Sequence, residues 1–389
     1  MRPRIATTGL FVVNGAVIGV WVSQIPSIQE RFGLSSLQVG LIVLCMSLAV
    51  IVAVPIAGQA VARRGSGPIA LVGGAACVVA VNLPVLAPHP LLTAGALVLL
   101  GGASAAMDVA MNSHGVHIET AGGRPIMSSL HAGWALGGAA GAALGAAGVA
   151  LGLDPRVTVA IAAALLAVLL AVCASRLGPG SAAEGEDAAA FTLPARGVAL
   201  LAALCLLVMM TEGAMADWSG ILLRNDMAAS AAMAALAYGV FTSGMTAGRL
   251  VGDALNRRLG PVWLLRSGAV LTAVPLAVML LAGSAAVAMA CLFLLGLGVA
   301  NGVPLMFSAA GRQPGTAPGP GIAAVSSTGS IGFLLGPPII GFLAGAATLP
   351  LALGILVPAA VLVGLLARRA AGPAPDGRGA HGATVLGAG

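Results

Sequence analysis

The chain has 389 residues, of which 59% are hydrophobic and only 8% charged, with a mean hydropathy of +1.04. So apolar a chain cannot cover a soluble surface with polar groups, which excludes a water-soluble globular protein and makes it a polytopic membrane protein. The formal charge of +6 does not mark a nucleic-acid binder, because the 18 basic residues, all arginine, are scattered without a basic face or interleaved aromatics.

Hydrocarbon satisfies no backbone polar group, so each span must be a helix, and about 20 residues cross the roughly 30 Å core. Twelve spans are expected near 6–26, 37–62, 68–87, 91–113, 127–150, 156–175, 197–218, 231–254, 261–282, 285–308, 321–345 and 348–367. They divide the chain into a six-helix bundle over 1–175, a cytoplasmic linker over 176–196, a second six-helix bundle over 197–367, and a disordered cytoplasmic tail over 368–389. The linker stands out by composition, with Arg176 and Arg196 flanking Glu184, Glu186 and Asp187. The first apolar stretch lacks a small-residue cleavage site and runs on to Trp21 and Pro26, so it reads as an uncleaved insertion signal.

With the N-terminus inside, 14 of the 18 arginines fall in cytoplasmic segments, three (Arg31, Arg156, Arg224) fall outside and Arg249 sits within a span. That asymmetry satisfies the positive-inside rule, places both termini in the cytoplasm and supports an even number of spans. The five cysteines all lie in expected spans, with no CxxC pair or neighbouring histidine, and read as small packing residues.

A weak internal repeat runs through the chain. Asn14-Gly15-Ala16 answers Glu212-Gly213-Ala214, Gly58 with Arg63 answers Gly252 with Arg257, and Gly101 answers Gly296, at offsets of 198, 194 and 195. Two membrane-embedded halves related in this way point to a transporter.

The loop Gly58-Gln59-Ala60-Val61-Ala62-Arg63-Arg64-Gly65 and its partner Gly252-Asp253-Ala254-Leu255-Asn256-Arg257-Arg258-Leu259-Gly260 place cations at a helix end before a tight turn. They resemble the cytoplasmic loop motif of the major facilitator superfamily, although Ala62 stands at its usual acidic position. In the second half, Arg249 and Asp253 are one turn apart and suit a gating pair alongside Arg63 and Arg257, or simply an incidental pair beside a basic loop.

Span 4 carries Asp108 and Asn112 on one helical face. An intramembrane carboxylate costs several kcal/mol unless it faces a cavity or takes a proton, so Asp108 is a functional candidate. Its bland alternative is a helix-end acid paired with His131 or Arg124. Met107-Asp108-Val109-Ala110-Met111-Asn112, the segment Arg124 to His131, Asn301-Gly302-Val303-Pro304 in span 10 and Gly336-Pro337-Pro338 in span 11 resemble the fucose-permease-like branch of that superfamily, closest to bacterial inner-membrane permeases. The resemblance covers residues 6–367 and implies an all-α membrane protein of twelve helices in two pseudo-symmetric bundles. By the same resemblance, Asp108 matches an acid joining substrate recognition to proton transfer, His131 matches a polar cavity residue, and Asn112 supports Asp108. The sugar symporters carry a further acid on span 1, where this chain has Asn14 instead.

Span 7 offers Glu212 and Asp217, which lie roughly 140° apart around the helix, so one of the two is expected to face a cavity. Glu212 aligns with Asn14 and is the second substrate or proton candidate, whereas Asp217 with Trp218 reads as aqueous rim and aromatic belt, as do Trp21 and Trp263. Trp134 is either packing or a stacking surface for a sugar ring, and Asn301 completes the candidate cavity. His114, His117 and Glu119 read as solvated polar residues rather than metal ligands. The chain has no P-loop, GxSxG or HExxH, hence no sign of an ATPase or hydrolase and none of a cofactor. The expected function is a monomeric secondary transporter, not an enzyme. It would move a small polar solute, a sugar-like one included, by alternating access with proton coupling, with proton-driven export of a hydrophobic metabolite or drug as the alternative, and a membrane receptor on the same scaffold as a third and weaker reading.

Overall fold

The computed structural model describes residues 2–122, 126–177, 198–310, 312–313 and 318–371. The expected linker falls mostly, and the tail almost wholly, outside the described residues, as does Arg124.

The first half comprises α1 (Arg2–Phe32), α2 (Ser36–Arg64), α3 (Ser66–Ala80), the short α4 (Leu83–Leu86), α5 (Pro90–Gly122), α6 (Met127–Ala150) and α7 (Pro155–Ala174). The second half comprises α8 (Ala199–Asp226), α9 (Ala231–Leu259), α10 (Pro261–Ala282), α11 (Ala285–Val299), α12 (Gly302–Ala310), α13 (Pro318–Ala346), α14 (Leu349–Gly354) and α15 (Leu356–Ala371). Three expected spans are each two stacked helices, broken at Val81-Asn82, at Ala300-Asn301 and at Ile355. Among the described residues, eleven segments are long and apolar enough to cross a membrane. The twelfth span is α9, equally long at 29 residues but more polar, because one of its faces carries Tyr238, Thr242 and Arg249.

The repeat is written into the backbone. Gly65, at φ 84°, ends α2 and starts α3, and Gly260, at φ 77°, does the same between α9 and α10. The left-handed region is open to glycine at no steric cost, so both loop motifs close on the residue their turn requires. Likewise Ser35 caps α2 and Ser230 caps α9 through their hydroxyls, while Gly33 and Ala228 just ahead of them share positive φ. Each of these three pairs is separated by 195 positions.

Packing follows the same two-fold pattern. α1 lies on α6 as α8 lies on α13, α2 on α5 as α9 on α11, and the bundles join through α2 with α13 and α6 with α9. Small residues permit these close approaches in lipid, where dispersion rather than water exclusion holds helices together. A Cβ at Gly141 would strike the Ala16 carbonyl, and one at Gly332 would strike the Leu206 carbonyl.

One face of the molecule, here called basal, holds the start of α1 beside the start of α6, where Arg4 Nη2 donates to Ser129 Oγ at 3.1 Å. The named ties between bundles all lie in the opposite, far half or at mid-depth. Arg224 of α8 pairs with Glu30 of α1, Asn225 Nδ2 donates to Gln29 Oε1 at 3.0 Å, and Gly40 of α2 meets Gly341 of α13. The lowest is Ser47 Oγ donating to the Leu334 carbonyl at 2.7 Å, about 18 Å from the far end of α2. Among the described residues these ties lie at or above that level, and the exposed Asp108 and His131 within the spans below it mark the space taken here as a cleft.

Several sequence expectations are corrected here. Trp218 is not in an aromatic belt: it is fully buried, and its Nε1 donates to the Pro337 carbonyl at 2.9 Å. Trp21 is also buried, while Trp263 is exposed as expected. His114 is not solvated: it is 1% exposed, with Nδ1 3.1 Å from Ser66 Oγ, because α5 continues past the membrane-length stretch and packs on α3. The five cysteines are free, and four are buried.

Candidate functional site

Two walls face each other across the cleft. On the first, α5 brings up Asp108. At about 100° per residue it falls roughly 40° from Ser104, which faces α1, and roughly 20° from Gly101, which approaches the Met46 carbonyl of α2. Asp108 is therefore directed between α1 and α2, and it is exposed although its neighbours Met107 and Met111 are wholly buried. Asn112 Nδ2 donates to Asp108 Oδ1 at 3.2 Å and to its carbonyl at 2.9 Å. The i, i+4 spacing supplies this contact, and it leaves the second carboxylate oxygen free of any recorded partner.

His131 lies one turn into α6. It is exposed, with the buried Phe11 ring edge-on at 5.3 Å. It sits two turns below Gly138, whose Cα faces the Tyr238 ring of α9. Asp108 and His131 have no hydrogen bond or ion pair between them among the described residues, and Arg124, the other partner considered from sequence, lies outside those residues.

Asn14 is 2% exposed, and its amide is spent within the bundle. Trp134 Nε1 donates to Asn14 Oδ1 at 2.9 Å, and Asn14 Nδ2 lies 3.4 Å from both the carbonyl and the hydroxyl of Ser104. This network ties α1, α5 and α6 behind Asp108 and orients the indole of Trp134. Asn301 plays a comparable part in the second bundle, where its Nδ2 donates to the Gly248 carbonyl at 3.0 Å across the α11–α12 break.

The second wall comes from α8 and α9. Glu212 is buried, Asp217 and Arg249 are half-buried, and Tyr238 is buried. Tyr238 is within electrostatic reach of Glu212, Asp217 and Arg249. Arg249 is within electrostatic range of both Glu212 on α8 and His131 on α6. Tyr238 and Arg249 are eleven residues apart, which puts them roughly 20° apart on one face, about 16 Å in depth. Glu212 has no recorded hydrogen bond or ion pair among the described residues. A carboxylate so placed is neutralised by a proton, by Arg249 or by a ligand.

Arg63 and Arg257 are exposed at the basal ends of α2 and α9. The side chain of Asp253 lies outside the described residues, so the expected Arg249–Asp253 pair is not part of the geometry. Sequence reasoning passed over Tyr238, though it is the only tyrosine in the chain and sits in a glycine-rich span. It also passed over Ser104 and Phe11, whose roles depend on neighbouring helices.

A family profile described as Major Facilitator Superfamily matches residues 7–319. The chain belongs to the Major Facilitator Superfamily. It is 32% identical over 365 residues to an uncharacterized MFS-type transporter of Yersinia pestis, covering 94% of this chain and 95% of that protein. It is 30% identical over 357 residues to the membrane protein MosC of Rhizobium meliloti, covering 91% and 86%. Among solved structures, a mutant of the nucleoside transporter NupG matches with TM-score 0.73 at 12% identity, over 94% of this chain and 98% of that one. A bacterial homolog of the human lysosomal transporter Spinster, inward-facing and occupied, matches with TM-score 0.70 at 15% identity, over 94% and 96%. This major facilitator is a multi-pass membrane transporter of a small-molecule solute, not an enzyme.

Proposed function

We propose that the chain is a proton-coupled transporter of a small polar solute, belonging to the fucose-permease-like branch and acting as a monomer in a bacterial inner membrane with both termini cytoplasmic. The observation that carries this reading is the gathering of ionisable groups inside the spans of both bundles, Asp108 and His131 on α5 and α6 and Glu212, Tyr238 and Arg249 on α8 and α9, with Arg249 in electrostatic range of His131 and Tyr238 against Gly138. Acceptors on one side and mixed acceptors and a cation on the other suit a ligand with several hydroxyl or amide groups. They suit a purely apolar ligand poorly, since each buried polar group left unpaired would cost about 1–3 kcal/mol.

Arginines support the orientation. Arg4, Arg63, Arg64, Arg176, Arg257, Arg258, Arg368 and Arg369 all lie at basal helix ends, against Arg31, Arg156 and Arg224 at the far side. With the basal face cytoplasmic, the cleft described here is inward-open. Asp108 takes the coupling proton, Asn112 stabilises its charged form by donating to Oδ1, and His131 is a second proton-accepting group in the same cleft. Arg249 acts as the mobile counter-charge. It pairs with Glu212 while the acid is ionised and is released toward the basal loop when substrate or a proton occupies the site. Rocking of the two halves about the ties between them alternates access.

The test is direct. Purified protein screened for ligand-induced thermal stabilisation against a panel of sugars, polyols and other small polar metabolites is expected to yield a binder. That binder is expected to accumulate in proteoliposomes when a pH gradient is imposed. A ligand set made up only of apolar compounds, or transport indifferent to the gradient, would overturn the reading.

A further inference from the structure

Away from the cleft, the second bundle contains a cavity of about 120 Å³ between α8, α9, α10, α11, α12 and α15. Its walls are mostly apolar, including Leu207, Val208, Leu264, Leu297 and Val363, with Thr211, Ser267, Thr272 and Asn301 as the polar exceptions. The cavity exists because backbones, not side chains, meet at its edge. Gly268 of α10 approaches the Gly298 carbonyl of α11, and the chain then breaks at Ala300-Asn301. Asn301 closes the inner end through its bond to Gly248.

The cavity is open at one side. Val251, Ser267 and Leu271 line it and are exposed, and the adjoining surface carries exposed Leu250, Trp263 and Val270. In a membrane protein such an apolar exposed surface faces acyl chains. The mouth therefore opens to the bilayer, between α9 and α10.

Charge lies just basal to it. Val251 and Arg258 share one face of α9, seven residues and about 10 Å apart, with Arg257 adjacent. Arg266 rises from the second turn of α10, over the Trp263 ring at 5.7 Å. α15 ends in Arg368 and Arg369, about 8 Å beyond Val363. Thus the three helices at the basal side of the cavity together carry five arginines, and the described residues at this end offer no recorded ion-pair partner for them.

We propose that this is a binding site for an anionic glycerophospholipid, with its phosphate among Arg257, Arg258 and Arg266 and one acyl chain inserted between α9 and α10. The cavity suits several methylenes of a chain, and the arginines supply what a zwitterionic headgroup would not need. Basic pockets between spans on the cytoplasmic side are where such lipids are held, at roughly a fivefold change in affinity per cation. Occupancy would wedge α9, the helix bearing Tyr238 and Arg249, so lipid composition would act on the second wall of the cleft without touching it.

The experiment uses delipidated full-length protein in a neutral detergent, titrated with phosphatidylglycerol or phosphatidylcholine of identical chains. Retained lipid is read by native mass spectrometry, and stability by thermal unfolding. Phosphatidylglycerol is expected to be retained at least about tenfold better and to raise the unfolding midpoint. Arg257→Gln with Arg258→Gln should lower that preference about twentyfold or erase it. Ser267→Phe, which fills the mouth, should abolish retention, and Val251→Phe serves as the second plug should the first fail to fold. Equal retention of the two lipids would overturn the proposal. So would retention that survives both plugs, or the same stabilisation by inorganic phosphate or glycerol phosphate alone.

Discussion

Trp134 donates its indole proton to Asn14 at 2.9 Å, and Asn14 in turn reaches Ser104 on α5, so one buried amide links three helices behind the cleft. Trp134→Phe removes the donor and leaves the Asn14 oxygen unpaired. The expected cost is about 1–3 kcal/mol, read as a lowered thermal midpoint. Ser104→Ala should cost less, because the carbonyl of residue 104 still accepts from the amide.

Asp108 is the group on which coupling is proposed to rest. Asp108→Asn is expected to abolish gradient-driven accumulation in proteoliposomes while sparing counterflow exchange, since the amide cannot release a proton but can still meet a hydroxyl. Asn112→Ala should weaken coupling by a smaller factor, because it removes one stabilising donor from the carboxylate. Retention of full gradient-driven activity by Asp108→Asn would remove this residue from the mechanism.

Across the far side, Arg224 and Glu30 form an ion pair between α8 and α1, with Asn225 and Gln29 beside it. Both charged side chains are over a third exposed, so the pair adds only about 0–1 kcal/mol to overall stability. It is nevertheless a tie between bundles. Glu30→Arg is expected to raise the labelling rate of a cysteine placed in the far half of the cleft several-fold, with little change in thermal midpoint. The double reversal Glu30→Arg with Arg224→Glu should restore protection, and an unaltered labelling rate in the single variant would show that the pair does not hold the far side shut.

Ala228 occupies the left-handed region at φ 50°, where its repeat counterpart Gly33 sits at φ 61°. A side chain there is strained by about 1–2 kcal/mol, against roughly 0.5–1 kcal/mol of unfolded-state entropy that alanine saves over glycine. Ala228→Gly is therefore expected to be neutral to mildly stabilising. Gly65→Val, which places a branched side chain at φ 84°, should lower the midpoint by several degrees. Thermal unfolding of the two variants checks the sign of each.

The spans were legible because lipid imposes a length and helix ends announce themselves. The expected 127–150 and 261–282 coincide with α6 and α10, whose limits are set by turns and by Pro261 at the first helical position. The offset of about 195 also foretold which turns would match, since Gly65 and Gly260 close both loops. What sequence could not supply was azimuth. Trp218 and His114 stand near helix ends and read as solvated, but their partners, the Pro337 carbonyl and Ser66, come from helices remote in the chain. Asp108 and His131 could be placed in depth, yet only the contacts of Ser104 with α1 and of Gly101 with α2 give the carboxylate its direction. Tyr238 was overlooked because a lone phenol in a span of alanine and glycine has no periodic signature.

The hydroxyl of Ser47, bonded to the Leu334 carbonyl at 2.7 Å, marks a fulcrum. Some 17 residues of α2, about 25 Å and interrupted by Pro55, continue beyond it to Arg64. In the proposed rocking motion, the outer rim and the arginine-bearing ends of α2 would move in opposite senses about this point. Small residues near the pivot, Gly40 against Gly341, let the halves roll on each other with bare backbone as the bearing surface.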